Sequence, residues 1–271
     1  MADGSRHSGA EWNAEIYHRV SNPHVNWGAK VIERLALRGD ETVMDAGCGT
    51  GRLTADLLER LPTGHVIALD QSQNMLDVAR DNLVPRYGDR VSFVQADLQA
   101  LDPAVIGKPV DVIFSTAAFH WVLDHPRLFA ALCRVLTPGG WLVAQCGGGP
   151  NLAVLLSHAA DLMATPRYAP FFAGWSGPWE FADDVTTAER LRAAGFVDVE
   201  TSLEEAQTRL ADAATFREYL TTVIFGAHLA RIPHEELREG FVDHLTDLAV
   251  VEDPPFFLDY WRLNLRGRRP E

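Results

Sequence analysis

The segment DAGCGTG, residues 45–51, sets the acid Asp45 two positions ahead of glycines at 47, 49 and 51. Alternating glycines let a backbone turn tightly and approach a ligand with no Cβ in the way. The spacing narrows the ligand class. A dinucleotide fingerprint, G-x-G-x-x-G, needs glycine at position 52, where this chain has Arg52, and the phosphate-binding G-K-[ST] does not occur. Gly47, Gly49 and Gly51 therefore fit a nucleoside ligand without a pyrophosphate. Asp70 stands 19 positions after Gly51, where a carboxylate can accept hydrogen bonds from both hydroxyls of a ribose. Such charge-assisted bonds contribute ~1.5–3 kcal/mol each. Asp97, in QADL at 95–98, is placed to accept from the exocyclic amine of adenine, with Met75 and Leu98 able to sandwich the base. His120 is the histidine best placed to take a proton from an acceptor or to hydrogen-bond it.

These residues need a frame that brings them to one edge. Short apolar runs at 42–45, 65–70, 91–95, 110–115 and 141–145 are rich in β-branched or aromatic residues and lack strict alternation, as in strands covered on both faces. Helical periodicity falls between them, at 52–61, 73–83 and 127–136, with Pro126 in a first turn and TPGG at 137–140 as a stop. Alternating strand and helix predict a Rossmann-like α/β fold, a seven-stranded, mostly parallel sheet with helices on both faces. Asp45, Asp70, Asp97 and His120 would then follow successive strands at their carboxyl ends, where such sheets bind ligands.

After residue 145 the pattern changes. We divide the chain into an N-terminal helical segment of a cap (1–40), a ligand-binding core (41–149), a cap insertion (150–183), a core helix and strand (184–205), a helical cap insertion (206–252), and a last strand with its tail, 256–265 within 253–271. Phe171, Phe172, Trp175, Trp179, Tyr219 and Phe225 line an apolar pocket or form the cap's own core. Arg266, Arg268 and Arg269 read as a solvated end.

Of 271 residues, 24 are Lys or Arg and 37 Asp or Glu, a net charge of −13 that argues against nucleic acid as a partner. Cys48, Cys133 and Cys146 form no C-x-x-C pair, which excludes a thiol zinc site and a disulfide framework. His120, Asp124 and His125 have no further ligand nearby and a helix starts at Pro126, so no metal is assigned. No stretch reaches the ~18 apolar residues of a membrane helix, and the opening residues contain no signal-like run, so a cytoplasmic protein with no membrane partner is expected.

The motifs MDAGCGTG, ALDQSQNML, VQADL and VDVIFSTAAFHWVLDHPRLFAALCRVLTPGGWLVAQ resemble the series of class I S-adenosylmethionine-dependent methyltransferases over about residues 12–201. The opening WNAEIYHRVSNPHVNWGAKVIERL is most similar to trans-aconitate methyltransferases and is also similar to juvenile hormone acid methyltransferases. The resemblance implies that S-adenosyl-L-methionine is the cofactor and S-adenosyl-L-homocysteine the product. It implies that Gly47–Gly51 and Ser115 flank the methionine part, that Asp70 and Gln71 hold the ribose, that Asp97 and Leu98 contact adenine, and that Tyr17 lies over the methionine end. In the juvenile-hormone-acid enzymes a tryptophan corresponding to Trp121 and a glutamine hold the substrate carboxyl. His24 stands in the glutamine's place and can donate likewise, though its charge varies with pH.

The expected activity is methylation of a small-molecule substrate, with a carboxylate oxygen as acceptor. The alternatives are hydroxyl, N- or C-methylation with His120 as base, and a non-catalytic protein that binds the cofactor. A carboxylate clamp would come from Arg167, Arg217, Arg231 or Arg262, among which sequence does not choose.

Overall fold

A strand buried on both faces sends alternate side chains into opposite layers. Thus Val43 points into one apolar layer of the protein and Met44 and Ala46 into the other. The computed structural model describes residues 22–271, with side chains from Trp27 onward. Tyr17 lies outside the described residues. His24 falls in helix α1 (Asn22–Glu33), its side chain outside them too.

Among the described residues, one sheet holds seven strands: β1 (Thr42–Ala46), β2 (His65–Asp70), β3 (Val91–Gln95), β4 (Val110–Thr116), β5 (Leu136–Gly147), β6 (Val197–Glu205) and β9 (Trp261–Arg268). Their order is β3-β2-β1-β4-β5-β9-β6. The first five are parallel, and β9 runs antiparallel to both β5 and β6. The expected seven-stranded, mostly parallel sheet is therefore present. After β1 the chain winds outward through β2 and β3, then returns to place β4 on the other side of β1. That reversal leaves a crevice at the carboxyl ends of β1 and β4.

Helices α2 (Arg52–Arg60) and α3 (Gln73–Tyr87) cover one face together with α1, through Val31, Leu57, Leu58, Leu76 and Leu83. Helices α4 (His125–Val135) and α7 (Asp184–Ala193) cover the other through Leu128, Leu132 and Leu191. A separate apolar core forms the cap. It joins α5 (Ala153–Met163), the short α6 (Ala169–Phe172), α8 (Ala213–Tyr219), a π-helical turn (Leu220–Ile224), α9 (Gly226–Leu229) and α10 (Glu235–Val251). No helix among the described residues is long and apolar enough to cross a membrane.

Three local expectations are corrected. The TPGG segment follows the end of α4 as expected, but it lies inside β5 and not before it: Leu136 pairs with Val110 and Trp141 with Val112, and TPGG makes the irregularity between those pairs. The last strand divides. Phe257–Leu258 (β8) pairs with Thr208–Arg209 (β7) as a small ribbon at the cap, and only Trp261–Arg268 enters the main sheet. Finally, Arg266 and Arg268 are strand residues and not a loose tail. Arg268 Nε lies 2.7 Å from Asp198 Oδ2, and Arg266 stacks over Trp141 and lies 3.9 Å from Glu200.

Candidate active site

The glycine segment is anchored to β2. Gly47 and Cys48 both donate N–H to the Leu69 carbonyl, at 2.8 and 2.9 Å. Gly47, Gly49 and Gly51 all have positive φ, +88°, +54° and +80°, so the loop needs residues without a Cβ to take this path cheaply. At Gly49 a Cβ would meet no atom of the described residues within 4 Å. Beside it the Asp70 carboxylate accepts from Gly49 N through Oδ2 and from Ser72 N through Oδ1, each at 2.9 Å. Burial pushes the Asp70 carboxyl above its ordinary value, and the Ser72, Gly49 and Gln71 N–H groups pull it back.

This loop and the ends of β2, β3 and β4 border an open cleft of about 760 Å³ that merges with bulk solvent. Gly47, Gly49, Asp70 and Gln71 form one side; Met75, Asp97 and Leu98 form another. Asp97 accepts from Gln99 N at 2.9 Å through one oxygen and has further acceptor capacity for a ligand. Thr116 to Ala118, Trp121 and Val122 close the third side.

Three residues expected at the ligand stand behind this wall. Asp45 is 2% exposed, and Thr54 Oγ1 donates to its Oδ2 at 2.6 Å. Ser115 is buried and donates to the Ala46 carbonyl at 2.6 Å. Gly51 is packed against Leu83 and Ala79 of α3. They shape the loop from the rear.

Burial pushes the Asp45 carboxyl up to about 7; the Thr54 hydroxyl lowers it and the Asp70 charge raises it further. Unfolded Asp45 ionises near its ordinary value of 3.8, so stability is lost as pH rises from there through about 7. Asp45→Asn is expected to melt higher than the parent by an amount that grows from pH 4 to 7 and then levels off, reaching roughly 5 °C or more. Calorimetric melts across that range check it; a constant difference would contradict the ionisation.

A second cavity, about 440 Å³ with the solvent space it opens into, adjoins the cleft and shares Ala117 and Trp121 with it. Ala117, at φ +54°, is held there by its N–H on the Gln145 carbonyl at 2.8 Å. His120, Trp179, Phe181, Tyr260 and Arg262 line the cavity further in. Gly147 N–H donates to His120 Nδ1 at 3.3 Å, so the neutral ring carries its proton on Nε2. Arg262 is 2% exposed, with its guanidinium carbon 4.7 Å from the Trp27 ring centroid. The other candidate cations lie elsewhere. Arg217 pairs with Asp243 at 2.6 Å, Arg231 sits over Trp175, and Arg167 over Tyr168.

Of the aromatics singled out in the cap, Trp179 lines this cavity. Phe172, Tyr219 and Phe225 are buried in the cap core, with Phe171 and Trp175 packed against it. Asp124 caps α4 by accepting from Arg127 N, and the His125 ring bonds the Phe119 carbonyl. Trp27, Asn151, Phe181 and Tyr260 were not singled out in the sequence.

Residues 43–140 match the methyltransferase domain family model. A trans-aconitate 2-methyltransferase of Acidovorax sp. (strain JS42) is 38% identical over 135 residues, 50% of this chain and 49% of the relative. The chain thus spans about half the length of the first curated relatives it matches. The trans-aconitate 2-methyltransferase of Deinococcus radiodurans is 36% identical over 197 residues, 69% of this chain and 70% of that one. The chain belongs to the trans-aconitate 2-methyltransferase family. The family lies within the class I S-adenosylmethionine-dependent methyltransferases. The fold agrees: the phosphoethanolamine N-methyltransferase 2 of Haemonchus contortus superposes with a TM-score of 0.60 at 18% identity, over 95% of this chain and 57% of that one.

The cofactor of this family fits the cleft on its own chemistry. Among the described residues, the lining includes the carboxylates of Asp70 and Asp97 and no lysine or arginine. That suits a ligand bearing a sulfonium and repels a pyrophosphate. Asp70 and Gln71 would hold the ribose, Met75, Asp97 and Leu98 the adenine, and Gly47 and Gly49 the methionine part.

Proposed function

We propose that the protein transfers the methyl group of S-adenosylmethionine to a carboxylate oxygen of a small organic acid. The observation that carries this reading is the state of His120. A base must offer a nitrogen lone pair to the acceptor's proton. His120 Nδ1 already accepts from Gly147 N–H, which leaves Nε2 protonated and able only to donate. A carboxylate has a pKa near 4, is ionised at neutral pH, and needs such a donor and no base. The relatives' name, trans-aconitate 2-methyltransferase, also describes methylation of an acid.

The cofactor, when bound, supplies a methyl group already activated for in-line displacement. The chain's part is placement. The shared wall of Ala117 and Trp121 puts the acceptor cavity beside the cleft, and well-oriented pairs reach effective molarities of ~10⁵ M or more. His120 Nε2–H would orient the acceptor oxygen, Trp121 would cover it, and the aromatic walls would exclude water. His24 and Tyr17 would complete the enclosure from the N-terminal segment.

The test is release of S-adenosylhomocysteine, with the methyl ester identified by mass spectrometry, on offering acids and their corresponding alcohols. Esters from acids support the reading; turnover of alcohols or amines alone would end it. His120→Ala should raise KM for the acid about 10-fold or more, the loss of one charge-assisted bond, while kcat falls less than about threefold. A general base would instead show its loss, 10²-fold or more, in kcat.

A further inference from the structure

We infer that Arg190 is a positioning residue for the transfer: by bridging His125 and Glu180 it fixes the turn that presents His120 and Trp121, together with the wall facing them. That role rests on the proposed placement of His120 and Trp121 at the acceptor. Phe119–Trp121 makes one 3₁₀ turn between β4 and α4, with Trp121 N–H on the Ala118 carbonyl and Val122 N–H on the Phe119 carbonyl, each at 3.0 Å. Hydrogen-bond geometry in such a turn is poorer than in an α-helix, so outside contacts decide where its side chains point.

Two carbonyls of the turn are gripped from beyond it. The His125 ring bonds the Phe119 carbonyl at 3.1 Å, and Glu180 N–H donates to the His120 carbonyl at 2.9 Å. Both grips meet in one guanidinium. Arg190 Nη1, from α7, donates to Glu180 Oε1 at 2.7 Å and lies 3.2 Å from His125 Nδ1. A guanidinium only donates, so Nδ1 is the acceptor, the ring is neutral, and its proton sits on Nε2 facing the Phe119 carbonyl. Arg190 thereby selects the tautomer that the turn needs. His125 is 1% exposed and packs against Phe129. Burial holds the ring below its ordinary value of 6.5; the Arg190 charge adds to that, while the Phe119 bond and the Glu180 and Asp124 charges oppose it.

Glu180 carries the bridge into the cavity wall. Its neighbours Trp179 and Phe181 line the second cavity and stack at 5.6 Å between centroids, 15° from parallel. Trp179 meets Trp121 at 5.6 Å, and Phe181 meets His120 at 5.8 Å. Turn and wall lean on each other, and Arg190 ties both to α4 and α7, which pack on the sheet. Arg190 itself lines neither cavity. Its effect on transfer is through placement, where an error of about 1 Å can cost ~10²-fold.

The experiment uses the full chain and two readouts. The first is the nitrogen NMR spectrum of the histidine rings with S-adenosylhomocysteine bound, the signals assigned by their loss in His120→Ala and His125→Gln. In the parent, His125 should carry its proton on Nε2. Arg190→Met should move the His120 ring signals, and Arg190→Lys, which keeps the charge and its donors, should return them most of the way. The second readout is methyl transfer to whichever carboxylic acid yields an ester. Arg190→Met is expected to raise KM for that acid about fivefold or more, with S-adenosylhomocysteine affinity changed less than about twofold, and Arg190→Lys to recover most of the loss. In a His120→Ala background the same substitution should change KM less than about twofold, because the group it positions is gone. Unmoved His120 signals in Arg190→Met, or an equal KM loss with and without His120, would overturn the inference. The parent spectrum decides even if no variant folds: a His125 ring protonated on Nδ1 would end it. Were no acid methylated, the carboxyl reading would fall and the histidine signals would still test the role of Arg190.

Discussion

Replacing Asp70 by alanine is expected to weaken binding of S-adenosylhomocysteine by about 100-fold or more. Two charge-assisted bonds to ribose hydroxyls, at ~1.5–3 kcal/mol each, set the lower bound. The same carboxylate also receives the N–H groups of Gly49 and Ser72, so its removal leaves two donors unmet at the rim of the cleft. Ribose recognition and loop support are separable. In the parent, S-adenosylhomocysteine lacking the 2′- and 3′-hydroxyls should bind far more weakly than the complete ligand; in Asp70→Ala the difference should shrink to what Gln71 alone supplies. A double-mutant cycle built from these four affinities isolates the ribose contribution. If the deoxy ligand loses as much affinity in the variant as in the parent, Asp70 does not hold the sugar. Asparagine is no gentle substitute here: its amide NH₂ would face one of the two N–H donors that the carboxylate now accepts.

The parts of the fold that sequence expresses locally were legible. Asp70 ends a short apolar strand, and Gly47 and Asp97 follow theirs by one or two residues, so pattern and chemistry coincide and the parallel half of the sheet could be drawn. Where partners come from far along the chain, the reading failed. TPGG carries strong turn signals and Gly139 keeps a positive φ of +78°, yet the segment lies inside β5 because Arg269, far along the chain, donates its N–H to the Gly140 carbonyl. In the same way Arg266 and Arg268 resembled a loose basic tail because the acids facing them, Glu200 and Asp198, belong to a strand about 70 residues earlier.

The site divides along the same line. Asp45 and Ser115 belong to the right motifs, but alternation along β1 and β4 turns them into the packed layers, where they bond Thr54 and the Ala46 carbonyl. Arg262 carried a weak signal of its own: in WRLNL it alternates with Leu263 and Leu265, which places a cation on one face of a strand that is otherwise buried. Knowing that this face meets Trp27 and the second cavity required the antiparallel insertion of β9 beside β5. The cap aromatics show the opposite limit. Their composition fits a pocket wall and a core equally well, and only packing separates Trp179 from Phe172 and Phe225.

Gly47→Ala and Gly49→Ala should both weaken cofactor binding, and Gly47→Ala should cost much more stability. Both glycines hold positive φ, so each alanine variant carries about 1–2 kcal/mol of backbone strain. They differ in what the new methyl meets. At Gly49 it meets no atom of the described residues within 4 Å, in a residue that lines the cleft, so it occupies ligand space. At Gly47 it would stand 2.5 Å from the Ala118 Cβ, an atom fixed to the backbone and unable to swing aside. Relief requires the loop or the 117–118 segment to move, and Ala117 belongs to both cavities, so a shift there disturbs cofactor and acceptor together. Gly49→Ala should lower Tm by about 2–4 °C per kcal/mol of strain and weaken S-adenosylhomocysteine binding about 10-fold or more. Gly47→Ala should exceed it in Tm loss and weaken binding about 100-fold. Adding Ala118→Gly removes the struck methyl and should return most of the stability lost in Gly47→Ala beyond the strain, with no comparable gain in Gly49→Ala. A double variant no more stable than Gly47→Ala would show that contact between the loop and the end of β4 does not set the shape of the cleft.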